Sequence, residues 1–62
     1  MIKRFHDFYG CRATIIRNRN QTYDLFIRMS NGKLLHKKNY ASYRGARIGM
    51  SKWSDCWEPS FN

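Results

Sequence analysis

Residues 23–53 read YDLFIRMSNGKLLHKKNYASYRGARIGMSKW, and the fold follows from how that stretch divides. Tyr23, Leu25, Ile27 and Met29 alternate with Asp24, Phe26 and Arg28, the period-two signature of a half-buried strand. Asn31-Gly32 follows. A type I′ hairpin turn needs positive φ at both central residues, and this dipeptide supplies it most readily. With Asn31 and Gly32 as the loop, Ser30 faces Lys33, Met29 faces Leu34, Ile27 faces His36 and Leu25 faces Lys38. One face of the hairpin then carries Leu25, Ile27, Met29, Leu34 and His36. The other carries Phe26, Arg28, Leu35 and Lys37, with Lys33 beside the turn.

After the hairpin the period changes. Ser42 is a good helix N-cap, and at 100° per residue Tyr43, Ala46, Met50 and Trp53 fall on one stripe. Trp57 extends that stripe if the helix runs so far, the pair packing as one i, i+4 ridge, and Pro59 ends any helix near Trp57. Arg44, Ile48, Ser51 and Lys52 lie off the stripe, which leaves Ile48 as an exposed apolar residue. Gly45 and Gly49 each cost about 1 kcal/mol in a helix interior, so packing must hold this helix. Four residues apart, they form a smooth patch for the close approach of a neighbour.

Upstream, Cys11 to Arg17 (CRATIIR) is rich in β-branched residues and suits a strand. Asn18 to Gln21 is turn chemistry, since asparagine tolerates positive φ and bonds its own backbone. Residues 1–10 read as a flexible arm or a short first strand, with Phe5, Phe8 and Tyr9 available to a core and Gly10 marking a bend. The expectation is a single α+β domain over residues 1–62: a three-stranded antiparallel sheet with one C-terminal helix packed on one face.

A 62-residue chain buries only about 60% of its unfolded surface, so its core is small. Aromatic residues at 16% bury much area per residue and offset this, and 42% hydrophobic residues argue against a disordered tail. Twelve Lys and Arg against four Asp and Glu give a formal charge of +8, a field that attracts nucleic acid, acidic membrane surface or acidic protein. The residues after Met1 contain no apolar run of a signal peptide, and no stretch approaches a membrane span. The expectation is a cytoplasmic protein without membrane attachment, its Cys11 and Cys56 reduced.

The pattern N-G-x-φ-φ followed by Y-x-S-x3-A-x2-G-φ, where φ is an apolar residue, is carried here by Asn31, Gly32, Leu34, Leu35, Tyr40, Ser42, Ala46, Gly49 and Met50. It resembles the YegP-like small domain. That resemblance implies a three-stranded sheet with a helix, and tandem or dimeric pairing, hence a homodimer here. The order of elements is also similar to the AP2-like integrase arm-binding modules, which lay an exposed sheet face in the DNA major groove.

Charge and that uncovered face point to nucleic acid, with DNA favoured. The candidate contacts are Arg12, Arg17, Arg19, Phe26, Arg28, Lys33, Leu35, Lys37 and Lys38. Cations meet phosphates, arginine reads guanine bidentately, and an aromatic ring stacks on a base. A solvated face with ordinary cations is the bland reading, against which two large apolar residues side by side, Phe26 and Leu35, weigh mildly. The alternative function is a protein-interaction module that docks on an acidic protein or on its own copy, such as a small viral-type protein that binds and modulates a host protein. His6, Cys11, His36 and Cys56 lack the tight ligand pairs of zinc sites, so no metal or cofactor is expected. No nucleophile elbow, phosphate loop or paired carboxylates suggest an enzyme.

Overall fold

The computed structural model describes residues 1–60. Its elements are β1 (Ile2–His6), β2 (Arg12–Arg17), β3 (Tyr23–Arg28), β4 (Leu34–Tyr40), α1 (Tyr43–Ser51) and β5 (Glu58–Pro59). The strands form one antiparallel sheet in the order β4-β3-β2-β1-β5. Four strands run as a meander, α1 crosses one face, and the chain returns to add β5 beside β1.

The architecture is α+β, but the sheet has five strands among the described residues, not three, and the helix is not the last element. Both extra strands carry weak sequence signals. In β1, Lys3 shares a sheet face with Phe5 yet is exposed, so only Phe5 marks the buried side. β5 has two residues, and its Pro59 lacks an N–H, which suits an edge position.

One face of the sheet is covered. Phe5, Ala13, Ile15, Leu25 and Ile27 point to it and pack with Ala46 and Met50 of α1. The helix lies over β3, with β2 and β4 to either side. Ala13 and Ala46 are fully buried; with no side chain beyond Cβ, they let helix and sheet approach closely. Over β1, α1 reaches Phe5 through Arg47, whose guanidinium lies 4.8 Å from the centroid of the ring. Tyr23 and Tyr43 close another side with rings 5.9 Å apart.

The Ser42 cap forms: its Oγ accepts from the Gly45 N–H at 3.0 Å. The glycine patch is filled from within the domain. Tyr40 lies across Gly45 and Gly49, and a Cβ on Gly49 would sit 2.6 Å from Tyr40 Cζ. The helix ends at Ser51, so Trp53 and Trp57 form no common ridge. Trp53 is 47% exposed and lies against the His36 ring. Trp57 folds back onto the core, where its indole N–H donates to the Met50 carbonyl at 2.8 Å. That carbonyl also accepts from the Trp53 N–H at 3.0 Å, so the indole adds a second donor at the helix end.

The β3–β4 turn also differs from the two-residue type I′ loop. Gly32 alone takes positive φ, at 91°. Its N–H donates to Met29 O at 2.9 Å, and the Met29 N–H donates to Lys33 O at 2.8 Å. This is a turn followed by a glycine bulge. Ile27 faces His36 and Leu25 faces Lys38, as alternation suggests, but Arg28 now faces Leu34 and the register shifts there. Met29 and Leu34 therefore leave the covered face and are exposed.

Candidate functional site

The opposite face of the sheet has no helix over it, and the register sets its side chains in rows. One row runs from Glu58 through His6, Arg12 and Arg28 to Leu34. The next runs from Arg4 through Thr14 and Phe26 to Lys37. A third holds Ile2, Ile16, Asp24 and Asn39. Basic groups thus gather toward the end of the sheet that carries the β1–β2 and β3–β4 turns. Asp24 sits toward the other end, where the Asn39 side-chain amide donates to it at 2.7 Å.

Arg12 and Arg28 are direct cross-strand neighbours, and His6 lies across Arg12 on the other side. Like charges placed opposite each other destabilise a sheet. Among the described residues no lysine or arginine lies within ion-pair distance of a carboxylate; the Glu58 carboxylate lies 3.9 Å from His6 Nε2. The four acids are otherwise placed. Asp7 is buried and accepts from the Tyr9 and Cys11 N–H groups at 3.0 and 2.8 Å, and Asp55 is exposed. The arginines on this face consequently keep their charge open to solvent.

These arginines border a groove of about 520 Å³, lined chiefly by Arg4, His6, Arg12, Thr14, Arg28 and Ser60. His6 Nδ1 lies 2.7 Å from Ser60 Oγ, and the Arg28 Nη1 group donates to the Gly32 carbonyl at 3.0 Å. Both side chains are therefore held in place before any ligand arrives. Beside the groove, Lys37 Nζ lies 5.5 Å from the centroid of the Phe26 ring, which holds the ammonium by cation–π attraction. The arrangement can neutralise several closely spaced anionic oxygens and offer an aromatic surface beside them.

The candidate contacts divide. Arg12, Phe26, Arg28 and Lys37 share the open face. Leu35 is the residue skipped where the β3–β4 register shifts, at the edge of the sheet. Lys33 belongs to the β3–β4 turn. Arg17 and Lys38 alternate onto the helix side, opposite Tyr23 and Leu25, and Lys38 Nζ lies 5.4 Å from the Tyr40 ring centroid. Arg19 is in the β2–β3 turn, at the far end from the groove. Arg4, His6, Thr14 and Ser60 were missed. Alternation through Ile2–His6 was a usable signal: with Phe5 turned inward, Arg4 and His6 must turn outward.

No metal-binding group of three or more His, Cys, Asp or Glu side chains occurs among the described residues. Cys11 and Cys56 are free thiols, and Cys56 Sγ lies 3.1 Å from Ser54 Oγ. No helix among those residues is long and apolar enough to cross a membrane. Comparison of the chain with known protein families, with characterised proteins and with solved structures finds no match.

Proposed function

We propose that this protein is a non-enzymatic binder of nucleic acid, DNA being the favoured form, and that the open face of the sheet is its contact surface. The observation that carries this reading is the cross-strand pair Arg12–Arg28 with Arg4 beside it. Like charges are stacked together with no carboxylate paired to Lys or Arg among the described residues. That placement opposes folding by a modest amount. A polyanion removes the opposition by neutralising the cations, with release of its own counterions. Phe26 beside Lys37 supplies a surface on which a base can stack.

A second reading has one observation in its favour. β4 is a seven-residue edge strand, and an open edge can add a strand from another protein. Lys37 and Lys38 on that edge act against pairing with a second copy of the same chain, so an acidic protein is the better partner under this reading.

The test is a fluorescence anisotropy titration of labelled oligonucleotides at two salt concentrations. Binding through several phosphates weakens steeply as salt rises, with a log–log slope proportional to the number of phosphates neutralised. Arg12→Ala and Arg28→Ala should each weaken binding and lower that slope by about one. Absence of binding at low salt sinks the proposal and turns the search to protein partners.

A further inference from the structure

The β1–β2 turn carries a feature that the phosphate-binding face does not use. Phe8 and Tyr9 stand at its tip, 87% and 80% exposed. The two rings meet edge to face, with centroids 5.7 Å apart at 86°. The loop beneath them is locked. One Asp7 carboxylate oxygen accepts from the Tyr9 and Cys11 N–H groups, the Asp7 N–H donates to Cys11 O at 3.1 Å, and Gly10 takes positive φ at 86°. A contiguous exposed aromatic patch is a candidate contact surface.

A second groove, of about 260 Å³, runs beneath Phe8 and is lined by His6, Asp7, Phe8, Cys56 and Glu58. His6 also lines the arginine groove, so the two meet at that side chain. Their chemistry differs. The first is bordered by Arg4, Arg12 and Arg28 and suits phosphate. The second has two carboxylates and no lysine or arginine, so it repels phosphate. It offers an aromatic ring, and Glu58 carries an exposed carboxylate, 3.9 Å from His6 Nε2 and able to accept from an amino group. Asp7 is already engaged by the loop.

We infer that the ligand is single-stranded nucleic acid, its phosphates in the arginine groove and one unpaired base in the second groove, stacked on Phe8. The inference rests on the proposed function of the open face. A duplex cannot satisfy both grooves, because its bases are already stacked and paired. Carboxylates accept from the N4 amino group of cytosine, and thymine has no exocyclic amine. The Phe8 site therefore prefers cytosine to thymine.

The experiment is anisotropy on the full chain with labelled oligo-dC, oligo-dT and a mixed-sequence duplex at low salt. The expected order is oligo-dC tightest, then oligo-dT, then duplex. Phe8→Ala should weaken oligo-dC binding about fivefold or more, the effect of losing one base–aromatic stack, with an unchanged thermal melt because the ring is exposed. Glu58→Ala should bring the oligo-dC to oligo-dT affinity ratio close to one. Duplex binding as tight as oligo-dC, with Phe8→Ala neutral, overturns the inference and leaves the open-face reading standing. If Arg12→Ala and Arg28→Ala bind every probe like the parent, the open-face reading falls and the inference with it. Phosphatidylserine vesicles bound through Phe8, with oligonucleotide binding unaffected by Phe8→Ala, assign the tip to a membrane surface instead and also overturn it.

Discussion

The two faces of the sheet share the same strands and use side chains in opposite ways. The covered face holds Phe5, Ala13, Ile15, Leu25 and Ile27 against α1, all buried. The open face shows Arg4, His6, Arg12, Arg28 and Lys37 to solvent, with Phe26 half-buried among them. Burial of apolar area stabilises the first by about 25 cal/mol per Å² removed from water. On the second, neighbouring like charges work against the fold. The difference teaches that stability and binding are separable here: alternate residues along one strand serve one or the other.

Substitutions can break or sharpen that contrast. The largest effect belongs to the covered face. Leu25→Ala, at a fully buried position, should destabilise by about 2–5 kcal/mol through lost transfer energy and the cavity left behind. Urea denaturation checks this, and a loss below about 1 kcal/mol would show that the core collapses around the gap. Next comes Gly49→Ala. The added methyl meets Tyr40, and overpacking of this kind costs about 1–3 kcal/mol; replacing Tyr40 with Leu in the same chain should recover part of it. A rise in stability from Gly49→Ala alone would mean that Tyr40 moves aside freely.

Ser42→Ala removes the N-cap and should cost about 1 kcal/mol, again by denaturant midpoint, without altering ligand affinity. On the open face the expectation reverses. Arg12→Ala and Arg28→Ala should change stability by no more than about 0.5 kcal/mol in either direction, while oligonucleotide affinity drops. If either arginine destabilises as much as Leu25→Ala, the separation of faces is wrong. The smallest effect is expected from Lys38→Ala, which lies on the helix side and should lower affinity less than either arginine in the same titration.

Much of the covered face was legible. Leu25, Ile27, Ala46 and Met50 could be read from periodicity alone, because strand and helix repeats impose their own spacing. The Ser42 cap was equally visible, since capping is a local event. Met29 and Leu34 were misread because a single extra residue in a hairpin changes which side chains share a face. That residue came from the choice between two turn geometries, both compatible with Asn31-Gly32. The candidate site was legible in part. Arg12, Phe26, Arg28 and Lys37 follow from alternation, whereas Arg4 and His6 required β1 to be recognised as a strand. Arg17 and Lys38 belong to the other side of the sheet by the same alternation.

Trp53 and Trp57 show the limit from the other direction. Helical spacing put them on one ridge, yet α1 stops at Ser51 and the indole of Trp57 returns to the Met50 carbonyl. Nothing local distinguishes a helix that ends there from one that continues another turn.

By itself the sequence determined the charge of +8, the α+β class, the β3–β4 hairpin, the capped helix and the apolar stripe between them. These depend on composition and on repeats within a few residues. The tertiary structure decided the five-strand sheet, the pairing of β5 with β1, the bulged register, and the gathering of Arg4, His6, Arg12 and Arg28 from three strands into one groove. Those features depend on contacts between residues far apart in the chain. Their strength comes from which backbone edges and apolar surfaces are left to satisfy once the local elements have formed.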